Sequence, residues 1–241
     1  MTLTCEAIPL LSDNYAWLLT EGAITAVCDP SEAAPVEALL QARGRKLDLI
    51  LLTHHHADHI DGVPALVAHH GAKVIAAAAD AHRLPKLDVA VRPGDSVAVG
   101  AAQATVIDTP GHTVGHIAFH FAEAKVLLCA DTLFTLGCGR VIEGTMEQMY
   151  ASLMALAALP GDTMACSGHE YTLSNLAFAL SIEPENAALQ AQAKKFRALR
   201  EAGKPTVPTT IADELAANPF LRAGSAAEFA RRREAKNTFR G

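Results

Sequence analysis

The chain has 241 residues, half of them apolar and 19% charged, enough to bury a sizeable core in one large domain or a larger and a smaller one. A formal charge of −6 speaks against nucleic acid as a partner, because a phosphate backbone selects a basic footprint. No apolar run approaches the roughly 20 residues that span a bilayer, and Met1–Glu6 lacks the pattern of a secretory leader. A cytoplasmic monomer without membrane contact is therefore expected. The five cysteines (Cys5, Cys28, Cys129, Cys138, Cys166) are odd in number and form no C-x-x-C pair. A disulfide framework and a cysteine-based zinc site are both disfavoured, so any metal must be held by His and Asp.

In chain order, short β-like runs come first: Thr2–Ile8, Tyr15–Thr20 and Ala23–Cys28, separated by Ser12-Asp13-Asn14 and Glu21-Gly22. A helix is predicted over Pro35–Ala42, ending at Gly44, then an apolar strand Leu47–Thr53 of the kind buried on both faces. A helix Asp61–His70 stopped by Gly71 and a strand Lys73–Ala76 follow. Val97–Val99, Ala104–Asp108, His116–Phe121 and Val126–Cys129 continue the β pattern, before an amphipathic helix Met146–Ala158 and a last strand Thr163–Ser167. Beyond Tyr171 only helices are expected: Leu173–Ile182, Asn186–Glu201, Ile211–Ala217 and Ala226–Lys236. That order implies an α/β domain over 1–169 and a small all-helical domain over 170–241.

The densest chemical signal is Thr53-His54-His55-His56-Ala57-Asp58-His59, directly after the apolar strand. In an extended segment side chains two apart share a face. His54 and His56 should point together and His55 away, while Asp58 and His59 sit where the chain turns into a helix. Imidazole and carboxylate suit zinc, iron or manganese alike. Three further pieces stand at strand ends: His112 in Thr109-Pro110-Gly111-His112-Thr113, Asp131 after Val126–Cys129, and His169 in Ser167-Gly168-His169-Glu170. If the loops converge, His54, His56 and His112 can form one metal site, Asp58, His59 and His169 a second, with Asp131 bridging. Two metals about 3.5 Å apart would hold a shared water and lower its pKa towards ~7, which makes a hydrolytic nucleophile.

Among the other histidines, His69 and His70 are expected to be solvated or to serve the C-terminal dipole of their helix. His116 is read as a core histidine that could support a ligand, and His82 and His120 receive no role. From Leu221 to Gly241 six Arg or Lys face two Glu, so this tail carries +4 and residues 1–220 carry −10. On charge alone it can be a solvated helix face or a seat for a small anion.

T-H-H-H-A-D-H, T-P-G-H-T, Ala130-Asp131-Thr132 and Gly168-His169 together resemble the metallo-β-lactamase superfamily. Within it the chain resembles glyoxalase II, the hydroxyacylglutathione hydrolases. Ser12-Asp13-Asn14-Tyr15, the run Gly139–Thr145, Gly168-His169-Glu170-Tyr171-Thr172, Glu183-Pro184-Glu185-Asn186, Asn218-Pro219-Phe220 and Arg233–Phe239 carry that narrower likeness. The resemblance implies an αββα sandwich followed by a helical C-terminal domain that completes the substrate site. It also implies two divalent ions, zinc before iron or manganese, on the ligands above, with Asp58 and Asp131 as the catalytic carboxylates. It places Arg140, Tyr171, Arg233 and Lys236 against the glutathione part of a thioester. The implied reaction is attack of a metal-bridging hydroxide on S-D-lactoylglutathione or related 2-hydroxyacylglutathiones, giving D-lactate and glutathione, the second step of methylglyoxal detoxification. Two positions depart from the family pattern: Ala57, which is no ligand, and Ile142, where many members carry an aromatic residue against the substrate.

Other readings of the same motifs are a glutathione persulfide dioxygenase with a single iron, a lactonase, a β-lactamase or general thioesterase, a nuclease, and an inactive metal-binding scaffold. A complete second ligand set and the helical tail weigh against the dioxygenase. The Arg233 and Lys236 ending is unexplained by a lactonase or β-lactamase, and the −10 of residues 1–220 by a nuclease. A scaffold that had lost activity would be expected to lack a ligand.

Overall fold

The computed structural model describes residues 3–240; Thr2, the expected start of the first strand, lies outside them. The chain divides into two compact units, Met1–Asp108 with Gly115–Ala130, and Thr109–Val114 with Asp131–Gly241.

The first unit opens with an antiparallel meander of β1 (Thr4–Leu10), β2 (Asn14–Glu21) and β3 (Ile24–Cys28). It continues through α1 (Ala33–Ala42), β4 (Leu49–Leu51), α2 (Ala57–Ile60), α3 (Val63–His70), β5 (Lys73–Ala77), a 3₁₀ turn (Ala78–Asp80) and β6 (Val89–Val91). The sheet order is β1-β2-β3-β4-β5-β6, parallel from β3 onwards. Parallel neighbours need a crossover, which α1 and α3 supply. Val36, Leu40, Val63 and Leu66 on these helices pack on Ile8, Leu18, Val27, Ile50 and Val74 of the sheet. Gly71 at φ +66° ends α3 by returning its N–H to Val67.

Two expected elements are cut short by side-chain chemistry. The strand expected to reach Thr53 ends at Leu51, because the Thr53 N–H is captured by Asp29 Oδ1 at 2.9 Å rather than by a neighbouring strand. The helix expected over Asp61–His70 starts at Val63, with α2 as a separate turn before it. Between them Gly62 is pressed on the Pro30 carbonyl, which accepts its N–H at 3.0 Å. A Cβ there would lie 2.6 Å from that oxygen.

The unit's other strands, β7 (Ser96–Val99), β8 (Ala102–Asp108), β9 (Ile117–Phe121) and β10 (Val126–Ala130), are antiparallel in that order. β9 and β10 are buried along their whole length, and β7 lies against β2 and β3. The two sheets thus face each other over an apolar interior.

The second unit holds a hairpin of β11 (Leu133–Phe134) and β12 (Gly137–Cys138), then α4 (Met146–Ala157) and β13 (Met164–Ser167). After these come α5 (Thr172–Ile182), α6 (Ala187–Glu201), β14 (Thr209–Thr210), α7 (Ile211–Ala217) and α8 (Ala226–Thr238). Thr145 and Gln148 close α4 with a reciprocal capping box. The expectation of helix alone after Tyr171 fails at β14, which pairs antiparallel with β13 through Thr210 and Thr209. Pro205 and Pro208 bar a helix from that stretch. Leu136, Leu176, Leu189, Phe196 and Ala217 form the helical core. No helix among the described residues is long and apolar enough to cross a membrane.

Candidate metal centre

In the first unit the His54–His59 run follows β4 as extended chain into α2. His54 Nε2 lies 3.1 Å from His56 Nδ1, so these two do point together, while His55 Nδ1 turns to the buried Asp80 at 3.2 Å. His59 is buried beside His54, ring centroids 4.3 Å apart, with Nε2 at 3.8 Å from Asp58 Oδ2. Asn14, in the Ser12–Tyr15 motif, holds Asp58 by donating to its carbonyl at 2.9 Å and to its carboxylate at 3.1 Å.

Beneath the run lies Asp29, buried at the end of β3 with φ +53°. Its Oδ2 accepts the Thr53 hydroxyl at 2.6 Å and His59 Nδ1 at 3.2 Å. A carboxylate only accepts, so His59 carries its proton on Nδ1 and leaves Nε2 as a lone pair. The Thr53 hydroxyl spends its proton on Asp29, so its oxygen accepts from His54 Nδ1 at 3.0 Å. That leaves His54 Nε2 as a lone pair too. Nε2 lone pairs backed by Nδ1 hydrogen bonds are the state metal binding needs.

In the second unit His112 and His169 converge on Asp131. Each Nε2 lies 3.4 Å from the same carboxylate oxygen, Oδ2, and all three residues are buried. His112 Nδ1 donates to the Arg140 carbonyl at 2.8 Å, which places the proton on Nδ1 and the lone pair on Nε2. Packing leaves this corner no slack. A Cβ on Gly139 would collide with the Asp131 carbonyl, and one on Gly111, at φ +148°, would meet Met149 at 2.6 Å. Ala130, just before Asp131, has φ +36°, a strained setting for a residue with a Cβ. His169 lies flat on Tyr171, and Phe134 stands on edge to both rings.

The donor set fits divalent cations. Imidazole nitrogens and carboxylates converge within each unit, buried at His54, His59, His112, Asp131 and His169 and half-buried at His56 and Asp58, and the relayed tautomers of His54, His59 and His112 offer nitrogen rather than N–H. Asp29, His54 and His59 are close enough together to hold an ion by themselves, but the Thr53 and His59 hydrogen bonds already occupy the Asp29 carboxylate.

Of the residues expected at the substrate, Arg233 is buried on α8. Its Nη1 donates to the Cys138 carbonyl at 2.8 Å, Nη2 donates to Asn237 at 3.1 Å, and its guanidinium stands 5.1 Å from the Phe220 ring centroid. The Nε–H has no hydrogen-bond partner among the described residues. Lys236 donates to the Ser174 carbonyl and hydroxyl, each at 2.8 Å. Burial, and then the charge of Arg233, pushes its pKa down to about 8. Tyr171 is 39% exposed, Ile142 is 56% exposed, and Arg140 is exposed.

Several residues had no role, or a lesser one, in the sequence. Asp29 could have been noticed as an acid at a strand end, in Cys28-Asp29-Pro30. His116, read as a core histidine, is indeed buried, and it stacks on His54 at 4.8 Å. His69 and His70, expected to be solvated or to serve the helix dipole, both meet Glu37: His70 Nε2 lies 2.9 Å from one carboxylate oxygen and His69 Nδ1 2.7 Å from the other. His70 Nδ1 accepts the Leu47 N–H, so Nε2 carries the proton, and this trio is a hydrogen-bonded brace between α1 and α3 rather than a ligand set. Burial would raise the Glu37 pKa, but the two histidine hydrogen bonds hold it low.

Comparison with known proteins shows the family to which the chain belongs. A family model for the metallo-beta-lactamase superfamily matches residues 12–169, and one for the hydroxyacylglutathione hydrolase C-terminus matches 170–239. A hydroxyacylglutathione hydrolase from Acidiphilium cryptum is 53% identical over 98% of this chain and 97% of its own length. One from a Jannaschia species is 57% identical over 90% of this chain and 85% of its own. The crystal structure of ETHE1 from Myxococcus xanthus is 27% identical with a TM-score of 0.72, covering 100% of this chain and 93% of that one. The expected fold, a metallo-β-lactamase domain with a helical C-terminal domain, is the one observed.

Proposed function

Because the chain belongs to the hydroxyacylglutathione hydrolases of the metallo-β-lactamase superfamily, we propose that it hydrolyses S-D-lactoylglutathione and related 2-hydroxyacylglutathiones. The products are D-lactate and glutathione, and the reaction is the second step of methylglyoxal detoxification. The observation that carries the reading is the Asp131 carboxylate oxygen set 3.4 Å from both His112 and His169, the arrangement of a ligand shared between two ions. On this reading His54, His56 and His112 hold one ion, Asp58, His59 and His169 the other, and Asp131 both. We take the ions to be zinc, with iron or manganese compatible with the same donors. Bound there, two divalent ions supply hydroxide at neutral pH and an electrophile for the thioester carbonyl.

The protein's own groups do the rest. Asp58, held by Asn14, orients the nucleophile. Asp29, through Thr53 and directly, keeps the protons of His54 and His59 on Nδ1. Arg140, Tyr171, Arg233 and Lys236 grip the glutathione moiety. The Arg233 Nε–H, without a hydrogen-bond partner among the described residues, supports a ligand acceptor, since a buried guanidinium donor seldom goes unmet. Residues 170–241 are the substrate-binding domain in this scheme, and the C-terminal family model that matches 170–239 supports it. No disulfide joins any of the five cysteines, which suits a cytoplasmic enzyme acting on a small diffusible thioester. Persulfide oxidation and lactone hydrolysis are not favoured, given the matched C-terminal family model and relatives above 50% identity named hydroxyacylglutathione hydrolase.

The test is lactoylglutathione hydrolysis measured alongside metal content per chain. We expect turnover with two ions bound, and Asp131→Ala should lose turnover and weaken both ions. A metal-replete chain without thioesterase activity defeats the proposal, and oxygen uptake with glutathione persulfide would replace it.

A further inference from the structure

The last torsion of a histidine side chain is soft and broadly two-fold, so backbone position alone does not set the ring plane. A ligated ion lies near that plane, and a tilted ring carries its nitrogen lone pair off target. At His169 the plane is held by aromatic packing. The Tyr171 ring lies over the imidazole with centroids 4.7 Å apart and planes 5° from parallel. Phe134 meets the His169 ring edge-on at 5.9 Å and 84°, and the Tyr171 ring at 5.4 Å and 80°. Offset-parallel and perpendicular are the two favoured aromatic geometries, and each pair in the trio adopts one of them.

Both partner rings are themselves anchored. Phe134 is buried on β11, and its carbonyl accepts Asn218 Nδ2 at 3.3 Å; Asn218 also donates to the Gly137 carbonyl and to Glu214. Between His169 and Tyr171, Glu170 accepts the Thr206 N–H at 2.9 Å and the Thr206 hydroxyl at 2.5 Å, with Arg200 at 3.7 Å. The backbone that carries both rings is therefore tied to the segment leading into β14.

We propose that Tyr171 and Phe134 are positioning residues for a metal ligand: an aromatic clamp that fixes the imidazole plane of His169 and keeps its Nε2 aimed beside Asp131. The proposal rests on His169 being a ligand. It gives Tyr171 a task separate from its substrate contact, one carried by the ring and not by the hydroxyl.

The experiment uses the full-length holoenzyme carrying Tyr171→Phe, Tyr171→Ala, Phe134→Leu or His169→Ala. Each protein is loaded with zinc, challenged with a chelator, and assayed for metal retained per chain; cobalt-substituted samples give the ligand-field spectrum. Tyr171→Phe keeps the stack, so it should hold both ions as firmly as the parent, with its defect confined to KM. Tyr171→Ala should release one of its two ions about 10-fold more readily and shift the cobalt bands, and Phe134→Leu should move both readouts in the same direction. If Tyr171→Ala matches the parent in chelator resistance and spectrum while His169→Ala loses an ion, the clamp is wrong and the ligand assignment stands. If His169→Ala also keeps both ions, the ligand assignment falls and the clamp with it.

Discussion

Glu214 offers the sharpest test of the energetics. It is fully buried on α7, where its Oε2 accepts the Leu136 N–H and Asn218 Nδ2, each at 2.9 Å. Burial is the dominant influence on it and raises its pKa from 4.5 to about 7, against the pull of hydrogen bonds from Thr209, Asn218 and Leu136. A carboxyl whose folded pKa exceeds its unfolded value favours the folded state in its protonated form. Its contribution is complete below about pH 4.5 and is lost as pH rises through about 7. The gap between those two values corresponds to about 3 kcal/mol at 1.36 kcal/mol per unit. Glu214→Gln keeps the size and an acceptor for Leu136 and Asn218 but cannot ionise. Its stability relative to the parent should therefore climb between pH 4.5 and 7 and level off above, by about 3 kcal/mol or roughly 9 °C in Tm. Urea unfolding of both proteins across pH 4.5–8.5 measures the difference, since other titrations cancel between them. Parallel curves would refute the argument.

Three more outcomes are expected. Asp29→Asn presents an amide where Thr53 and His59 donate, so metal affinity should fall by about 10–100-fold in chelator competition; unchanged affinity would show that Asp29 does not set the tautomers. The KM for glutathione thioesters should rise as pH passes about 8, where Lys236 loses its charge, and Lys236→Arg should remove that inflection while leaving the pH profile of kcat in place. Gly139→Ala drives a methyl into the Asp131 carbonyl, where no side chain can retreat. It should cost about 2 kcal/mol in denaturant unfolding, and an unaltered midpoint would mean that the loop shifts freely.

Much of this protein is local, and the local part is legible in the sequence. The seven ligand candidates lie in short motifs at strand ends, because each motif is the last stretch of a strand plus the turn after it. The expected strands and helices, read from apolar period and glycine or proline breaks, hold to within a few residues, but β6, β11 and β12 are not among them. The exceptions have long-range causes. β4 stops at Leu51 because a carboxylate more than twenty residues earlier takes the Thr53 N–H. β14 is two residues long, too short for any period to announce, and exists through its pairing with β13.

What only the tertiary structure decided is the set of single side chains that act on the motifs from outside them. Asp29, Asn14 and Phe134 look in sequence like an ordinary acid, a turn amide and a core ring. Their effect comes from hydrogen bonds and ring contacts made across long stretches of chain, which leave no periodic trace. Arg233 shows the same division. Its place in a basic tail is written in the composition, whereas its burial against Cys138 and Phe220 is not. Residue types and their spacing determine which atoms can bind a metal. Where the protons sit on those atoms, and which way the rings face, depends on contacts that exist only once the chain has folded.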